Sequence, residues 1–335
     1  MGLAGRIDRF QRRHPVLGAP LAVVYKYFDD QGPYLGVIIS FYAFLGIFPL
    51  LLLATSIFGF VLQGQPELRD TVLSSTLSTF PIIGDQLGRP EGLQGSVAAI
   101  VVGSLAALYG ATGLGQALQN AMNTAWAVPR NKRGNPFLQR FRSLVLLLIA
   151  GLAVLGVTTL SVIGNSTDLL GRSEGLARVL VSLATIAATG LVMSWLFRLS
   201  AARDHSLWAA MPGGFFTAVT WHLLQYAGAA YVTSVLARTS AMNQTFGLVL
   251  GLMGLIYAAS ILVVVAIEIN VVLARRLYPR ALLTPFTDAV DLTEADKRAY
   301  TAYARAQRHK GFEEVTVSFE KVTDDQAGSS APREP

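Results

Sequence analysis

The sequence predicts an all-α integral membrane bundle of six transmembrane helices, with an interfacial helix before it and a cytoplasmic helix after it. Composition is the first reason. Hydrophobic residues make up 52% of the 335-residue chain and charged residues only 14%, with a mean hydropathy of +0.47, whereas an ordinary soluble domain carries charge on about a quarter of its residues. The second is the length of the apolar runs. Residues 31–66, 92–129, 143–167, 179–197, 205–237 and 239–267 contain no Asp, Glu, Lys or Arg, and a helix of roughly 20 such residues crosses a hydrocarbon core. The runs are continuous and lack the two-residue alternation of a membrane barrel strand, so helices are implied.

The third reason is where the positive charge falls. Arg6, Arg9, Arg12, Arg13 and Lys26 precede the first span, and Arg130, Lys132, Arg133, Arg140 and Arg142 lie between the second and third. Arg198 and Arg203 follow the fourth, and Arg275, Arg276 and Arg280 follow the sixth. The opposite loops hold Arg69, Arg89, Arg172, Arg178 and Arg238, the first four among acidic residues. This asymmetry predicts a multi-pass protein of the plasma (inner) membrane with both termini in the cytoplasm. The net charge of +6 thus serves topology, and no nucleic-acid partner is expected.

Residues 1–33 form the cytoplasmic amino-terminal segment. No apolar core of a signal peptide occurs within residues 1–20, and Arg6 stands where a myristoylation motif needs Ser or Thr. Residues 15–28 interleave Val16, Leu17, Leu21, Val23 and Val24 with Lys26, the pattern of a helix lying at the interface. The transmembrane domain, residues 34–276, starts after Gly32-Pro33 with a span over about 34–62, where Pro49 predicts a kink. In the following outer loop, residues 67–80 have helical spacing of apolar residues. The second span covers about 96–125 and ends at Trp126. The third covers 143–163, and the fourth 176–197 with Trp195 as an interface anchor. The fifth, 207–236, is expected to break early at Pro212-Gly213-Gly214, and the sixth, 246–273, is closed by Arg275 and Arg276. In the carboxyl-terminal segment, residues 277–335, Thr293, Glu294 and Asp296 suit the amino end of a helix over 292–310. Residues 313–322 alternate as a strand would, and 324–335 read as a disordered tail. No internal repeat is visible.

Polar residues inside the spans carry the functional information. On the second span Thr112, Gln116, Asn120 and Asn123 follow at steps of four, four and three along one face, with Gln119 beside them. They either bond neighbouring helices or line a polar cavity. Glu268 and Asn270 sit near the cytoplasmic end of the sixth span, where Glu268, less than two turns from Arg275, is expected to be partly solvated. It either pairs with a neighbouring arginine such as Arg275 or lines a polar cavity open to the cytoplasm with Asn270 and the amides of the second span. On the fifth span His222, Gln225 and Tyr226 are neighbours, and His222 either relays protons or is a satisfied core residue. Gly110, Gly113 and Ala117, with Gly247, Gly251 and Gly254, have the spacing of close helix contacts. Cysteine is absent, which excludes disulfides and thiolate chemistry. No phosphate loop, HExxH motif or metal set is present, so neither a cofactor, a metal nor an enzymatic activity is expected.

Several short motifs, in order, carry a resemblance: Tyr42 through Leu50 (YAFLGIFPL), Ala117 through Asn123 (ALQNAMN), Met211-Pro212-Gly213-Gly214, Tyr231-Val232, Thr245-Phe246-Gly247, and Ala266 through Asn270 (AIEIN). With them the chain resembles the YihY/virulence factor BrkB family of bacterial inner-membrane proteins, nearest its YhjD-like branch. Phe246 stands where that family usually shows Tyr, and Ala266-Ile267-Glu268 where it shows Gly-Ala-Glu. The resemblance implies six inner-membrane helices and a function discussed as export of lipid or envelope components. Many members also carry an older label, ribonuclease BN, against which the residues argue, since no acidic or histidine cluster for metal-assisted phosphodiester cleavage is present.

Two functions are therefore expected as alternatives. One is a transporter or translocator of a lipid or envelope component, with membrane lipids as partners. Its cytoplasm-facing cavity would be lined by Tyr42, Pro49, Gln116, Asn120, Asn123, His222, Gln225, Glu268 and Asn270. The other is a scaffold or assembly factor that transports nothing, in which the same polar residues only hold helices together.

Overall fold

The computed structural model describes residues 3–61, 97–166, 174–202, 205–234, 241–282, 284 and 290–320. Among the described residues every regular element is helical. Two short helices come first, α1 (Leu3–Arg13) and α2 (Ala19–Asp29). Six long ones follow: α3 (Gly32–Val61), α4 (Val97–Ala125), α5 (Pro136–Ser166), α6 (Glu174–Ser200), α7 (Leu207–Ser234) and α8 (Ala241–Arg275). The last is α9 (Glu294–Ala306). The outer-loop helix expected over 67–80, the loop tips of 167–173 and 235–240 and the tail of 324–335 lie outside the described residues.

Each long helix packs on the next, α3 on α4 through to α7 on α8, and α8 returns to α3. The bundle is thus a closed ring, and small residues set its closest crossings. A Cβ on Gly110 would lie 2.6 Å from the Cα of Gly46, and one on Gly115 would lie 2.5 Å from the Cβ of Ser143, so α3, α4 and α5 meet nearly backbone to backbone. Gly113 and Gly251 likewise lie under the rings of Tyr42 and Tyr231, but Gly254 faces open space.

The outside of the ring is apolar. Ile38, Leu105, Leu148, Leu183, Leu223 and Leu250, one from each long helix, are all exposed, an arrangement that suits hydrocarbon and not water. Among the described residues two helical segments, Val179–Ser200 and Phe246–Arg275, are long and apolar enough to cross a membrane. The tightly packed core lies at one end, where Met122, Trp126, Phe197, Ile267 and Val271 are buried together with Ala22 of α2. The loop after α4 and the end of α8 bring Arg130, Lys132 and Arg275 to that end, called the basic end below.

Several elements differ from the sequence expectation. α5 begins at Pro136, before the charge-free stretch, because Arg142 is accommodated in the helix and donates to the carbonyl oxygens of Leu199 and, at 3.0 Å, Ala201 at the end of α6. α7 is not broken at Pro212. The proline lies in the second turn, where it removes one backbone donor, and the next amide, Gly213 N–H, donates to Asn270 Oδ1 at 2.6 Å. α1 was not expected. Residues 313–320 form no strand, for their alternation finds no partner strand to pair with.

Candidate functional site

At the basic end α2 lies against α8, and between them is a cluster of charged groups removed from solvent. Lys26, on the inner face of α2, is 2% exposed, and Glu268 of α8 is 0% exposed. The Lys26 ammonium donates to Asp30, one turn on, and faces Glu268 Oε2 at 3.5 Å. Neither Glu268 oxygen is hydrogen bonded among the described residues. The ring of Tyr303 from α9 covers the ammonium, 5.0 Å from centroid to Nζ. A cation against an aromatic face keeps part of its solvation when water is excluded.

A second cluster adjoins the first. Arg280, just past α8, donates to Asp296 of α9 and, at 3.1 Å, to Asp29 Oδ2 of α2, and it lies over the Tyr300 ring at 5.3 Å. Asp296 also accepts from Ala281 N–H at 3.0 Å and from Thr293 N–H at 2.9 Å, closing a capping box at the start of α9. Gln11 of α1 donates to the Arg280 carbonyl at 2.6 Å, and Asp8 accepts from Leu282 N–H at 3.0 Å. Three helices, α1, α2 and α9, thus grip one short segment beyond α8.

Four carboxylates, Asp29, Asp30, Glu268 and Asp296, face two basic groups, Lys26 and Arg280. Acid is in excess. Burial pushes the Asp29 carboxyl above its ordinary range despite the Arg280 guanidinium beside it. Burial, with the Asp30 and Asp29 charges, drives the Tyr303 phenol far up, so it stays neutral with its hydroxyl directed at Asp29 at 3.5 Å. Arg280 stays charged, because its hydrogen bond and ion pair with Asp296 outweigh desolvation.

The residues expected to line one cavity are divided among separate contacts. Asn270 is buried against α7 through Gly213. Asn123 Oδ1 accepts from Ala202 N–H at 3.1 Å, and Gln119 donates to Ser143 Oγ at 2.7 Å, tying α4 to the end of α6 and to α5. Asn120 is exposed and accepts from Arg133 at 3.3 Å. Gln116, His222 and Gln225 are half-buried, and Tyr42 packs on Gly113. Pro49 belongs to the continuous α3, on a stretch whose side chains lie outside the described residues. Glu268 differs from expectation in one respect: it is neither solvated nor paired with Arg275. Arg275 instead donates to the Trp126 carbonyl and covers the Trp126 indole at 5.5 Å.

Sequence reasoning passed over Lys26, Asp29, Asp30, Arg280, Asp296 and Tyr303 as site residues. Lys26 and Arg280 were absorbed into the topology count. The i,i+4 spacing of Lys26 and Asp30 was a usable signal, although their burial was not. Among the described residues no group of three His, Cys, Asp or Glu is placed to hold a metal ion.

The family model described as "Virulence factor BrkB" matches residues 23–288, a range that takes in Lys26, Glu268 and Arg280. The inner membrane protein YhjD of Escherichia coli (strain K12) is 26% identical over 267 residues, spanning 73% of this chain and 78% of that protein. No solved structure matches this chain.

Proposed function

The chain belongs to the virulence factor BrkB family, and on that premise we propose that it is an inner-membrane translocator of a lipid or other envelope component, gated at the buried Lys26–Asp30–Glu268 cluster. Six helices span the membrane in this reading, with both termini and the basic end in the cytoplasm. The inner-membrane relative and the apolar belt on all six long helices support the placement. The charge asymmetry of the loops supports the orientation.

The observation that carries the gate is the complete burial of Lys26 and Glu268 where the last span ends. Taking two charges out of water costs several kcal/mol per ion on the order of magnitude, and apolar residues would hold the same helices at least as firmly. Ionisable groups inside a membrane bundle therefore point to function. With the core packed tightly at this end, the structure suits a state closed toward the cytoplasm. Opening would separate Lys26 from Glu268 and move α2 from α8. No catalytic step is proposed.

The specific observation behind the scaffold alternative is that Gln119, Asn123 and Asn270 are all consumed in helix contacts. Flux of labelled phospholipid in proteoliposomes separates the two. The proposal predicts flux that Glu268→Gln changes severalfold while the protein still folds. Flux that a folded Glu268→Gln leaves unchanged contradicts the gate, and no flux together with stable co-purification of another membrane protein favours the scaffold.

A further inference from the structure

A second feature of the basic end takes no part in the gate. A cavity of about 650 Å³ lies between the loop after α4, the end of α8 and the open face of α9, and five basic side chains line it: Lys132, Arg275, Lys297, Arg298 and Arg305. Among the described residues no carboxylate lines it. Arg298 and Arg305 stand two turns apart on one stripe of α9, and between them Thr301 and Ala302 are small enough to leave the hollow.

Topology does not require this convergence. Lys297, Arg298 and Arg305 lie beyond the roughly 15–20 residues over which charge near a span sets orientation. Like charges held in one concavity also repel each other. Lys297 pairs with Glu294 at 3.0 Å, but that carboxylate is out on the surface and does not line the cavity. Arg298 donates to the Arg276 carbonyl at 2.6 Å, which orients its guanidinium without neutralising it, and Arg275 donates to the Trp126 carbonyl. Lys132 and Arg305 are exposed and make no ion pair among the described residues.

The walls are held in place. Asn131 N–H donates to the Arg308 carbonyl at 3.2 Å, joining the loop after α4 to the end of α9. Ala127 on the wall and Arg276 behind it have φ of 46° and 52°, the left-handed conformations that end α4 and α8 and turn the chain along the cavity. Two guanidinium forks oriented by carbonyl oxygens, with three further cationic side chains lining the same hollow, match the multiple oxygens of a phosphate group.

We infer that this cavity binds a phosphate-bearing anion, held by Lys132, Arg275, Lys297, Arg298 and Arg305. A cavity of about 650 Å³ admits a phosphate together with the group it esterifies. The anion is either the headgroup of an anionic phospholipid entering from the adjacent leaflet or a soluble phosphate ester. The inference stands whether or not the protein translocates anything.

The test uses the full-length protein in nanodiscs of phosphatidylcholine containing a minor fraction of phosphatidylglycerol, followed by native mass spectrometry of retained lipid. The double variant Lys132→Gln/Arg305→Gln removes two charges from the cavity, and Arg13→Gln/Arg140→Gln removes two exposed charges elsewhere. Retention of phosphatidylglycerol over phosphatidylcholine by the wild type is expected to fall on the order of tenfold in the cavity variant and to persist in the control. If glycerol 3-phosphate displaces the lipid, or binds with the same dependence on Lys132 and Arg305 in discs of phosphatidylcholine alone, the ligand is the soluble ester. Equal loss in the two variants would show diffuse surface charge and overturn the inference. So would binding of neither probe, or a cavity variant that melts like the wild type and retains lipid equally.

Discussion

At Lys26 one ammonium faces two carboxylates and an aromatic ring, and almost none of it meets water. Its removal leaves Asp30 and Glu268 buried without a counter-charge. Lys26→Met is therefore expected to cost about 3–5 kcal/mol of unfolding free energy, whereas Glu268→Gln, which removes one of two acids from one base, costs less. Chemical denaturation in detergent measures both, and a Lys26→Met protein as stable as the wild type would contradict the burial argument. Asp8 carries a pH dependence. Burial raises its pKa, but the Leu282 amide, Gln11 and Arg12 together outweigh that and hold the carboxyl below its usual range. A depressed pKa contributes stability above the unfolded Asp value of about 3.9 and loses it as pH falls through the folded value. The contribution of Asp8 to the docking of α1 on the segment after α8 should thus be full from neutral pH down to about 4 and weaken below it. Hydrogen exchange of residues 3–13 across this range checks it.

At the scale of elements, the ends of α4 and α8 share a device. Each closes with a non-glycine residue at positive φ, Ala127 and Arg276, and the following amide returns to the helix: Val128 N–H donates to Asn123 O at 2.8 Å and Leu277 N–H to Val272 O at 3.0 Å. Glycine meets no Cβ penalty there, so Ala127→Gly should raise stability by about 0.5–1 kcal/mol, read as a higher melting temperature. Close crossings respond in the opposite way. A Cβ at Gly213 would fall 2.1 Å from the Ala266 carbonyl oxygen and 2.6 Å from Asn270 Nδ2, while nothing lies within 4 Å of one at Gly254. Gly213→Ala should lower expression and melting temperature sharply, and Gly254→Ala should do neither. Gly254 also shows what spacing alone conveys. Its place in a row of small residues suggested a contact, but helical period says which residues share a face and not whether another helix approaches it.

Over the whole molecule, the parts legible in the sequence are those set by the solvent. Apolar length located all six long helices, because a charge inside hydrocarbon is costly wherever it falls. The same criterion started α5 too late, since an arginine near a helix end can reach neighbouring carbonyls and remain in the helix, as Arg142 does. The candidate site was only half legible. Glu268 stood out as a carboxylate in an apolar run, but its partner Lys26 lies on another helix far along the chain and looked like one more topological charge. The i,i+4 spacing with Asp30 marks a pair on the helix, but it does not distinguish a lysine that flanks a membrane from one folded beneath a tyrosine. Orientation can be tested on the whole chain because it contains no cysteine. Single cysteines at Arg13 and Gly134, both exposed, should react with a membrane-impermeant maleimide only after the membrane is opened from the cytoplasmic side. Labelling of intact cells would contradict the cytoplasmic placement of the basic end.

The pairing that ties α2 to α8 at the basic end is tested most directly by exchanging its charges and measuring thermal unfolding of the purified protein. Lys26→Glu and Glu268→Lys alone each leave like charges together in a buried site, and both should melt well below the wild type. The double exchange keeps the same set of charges beside Asp30 and should recover most of the loss. A double variant no more stable than the sum of the two single effects would contradict the pairing, and with it the proposed gate.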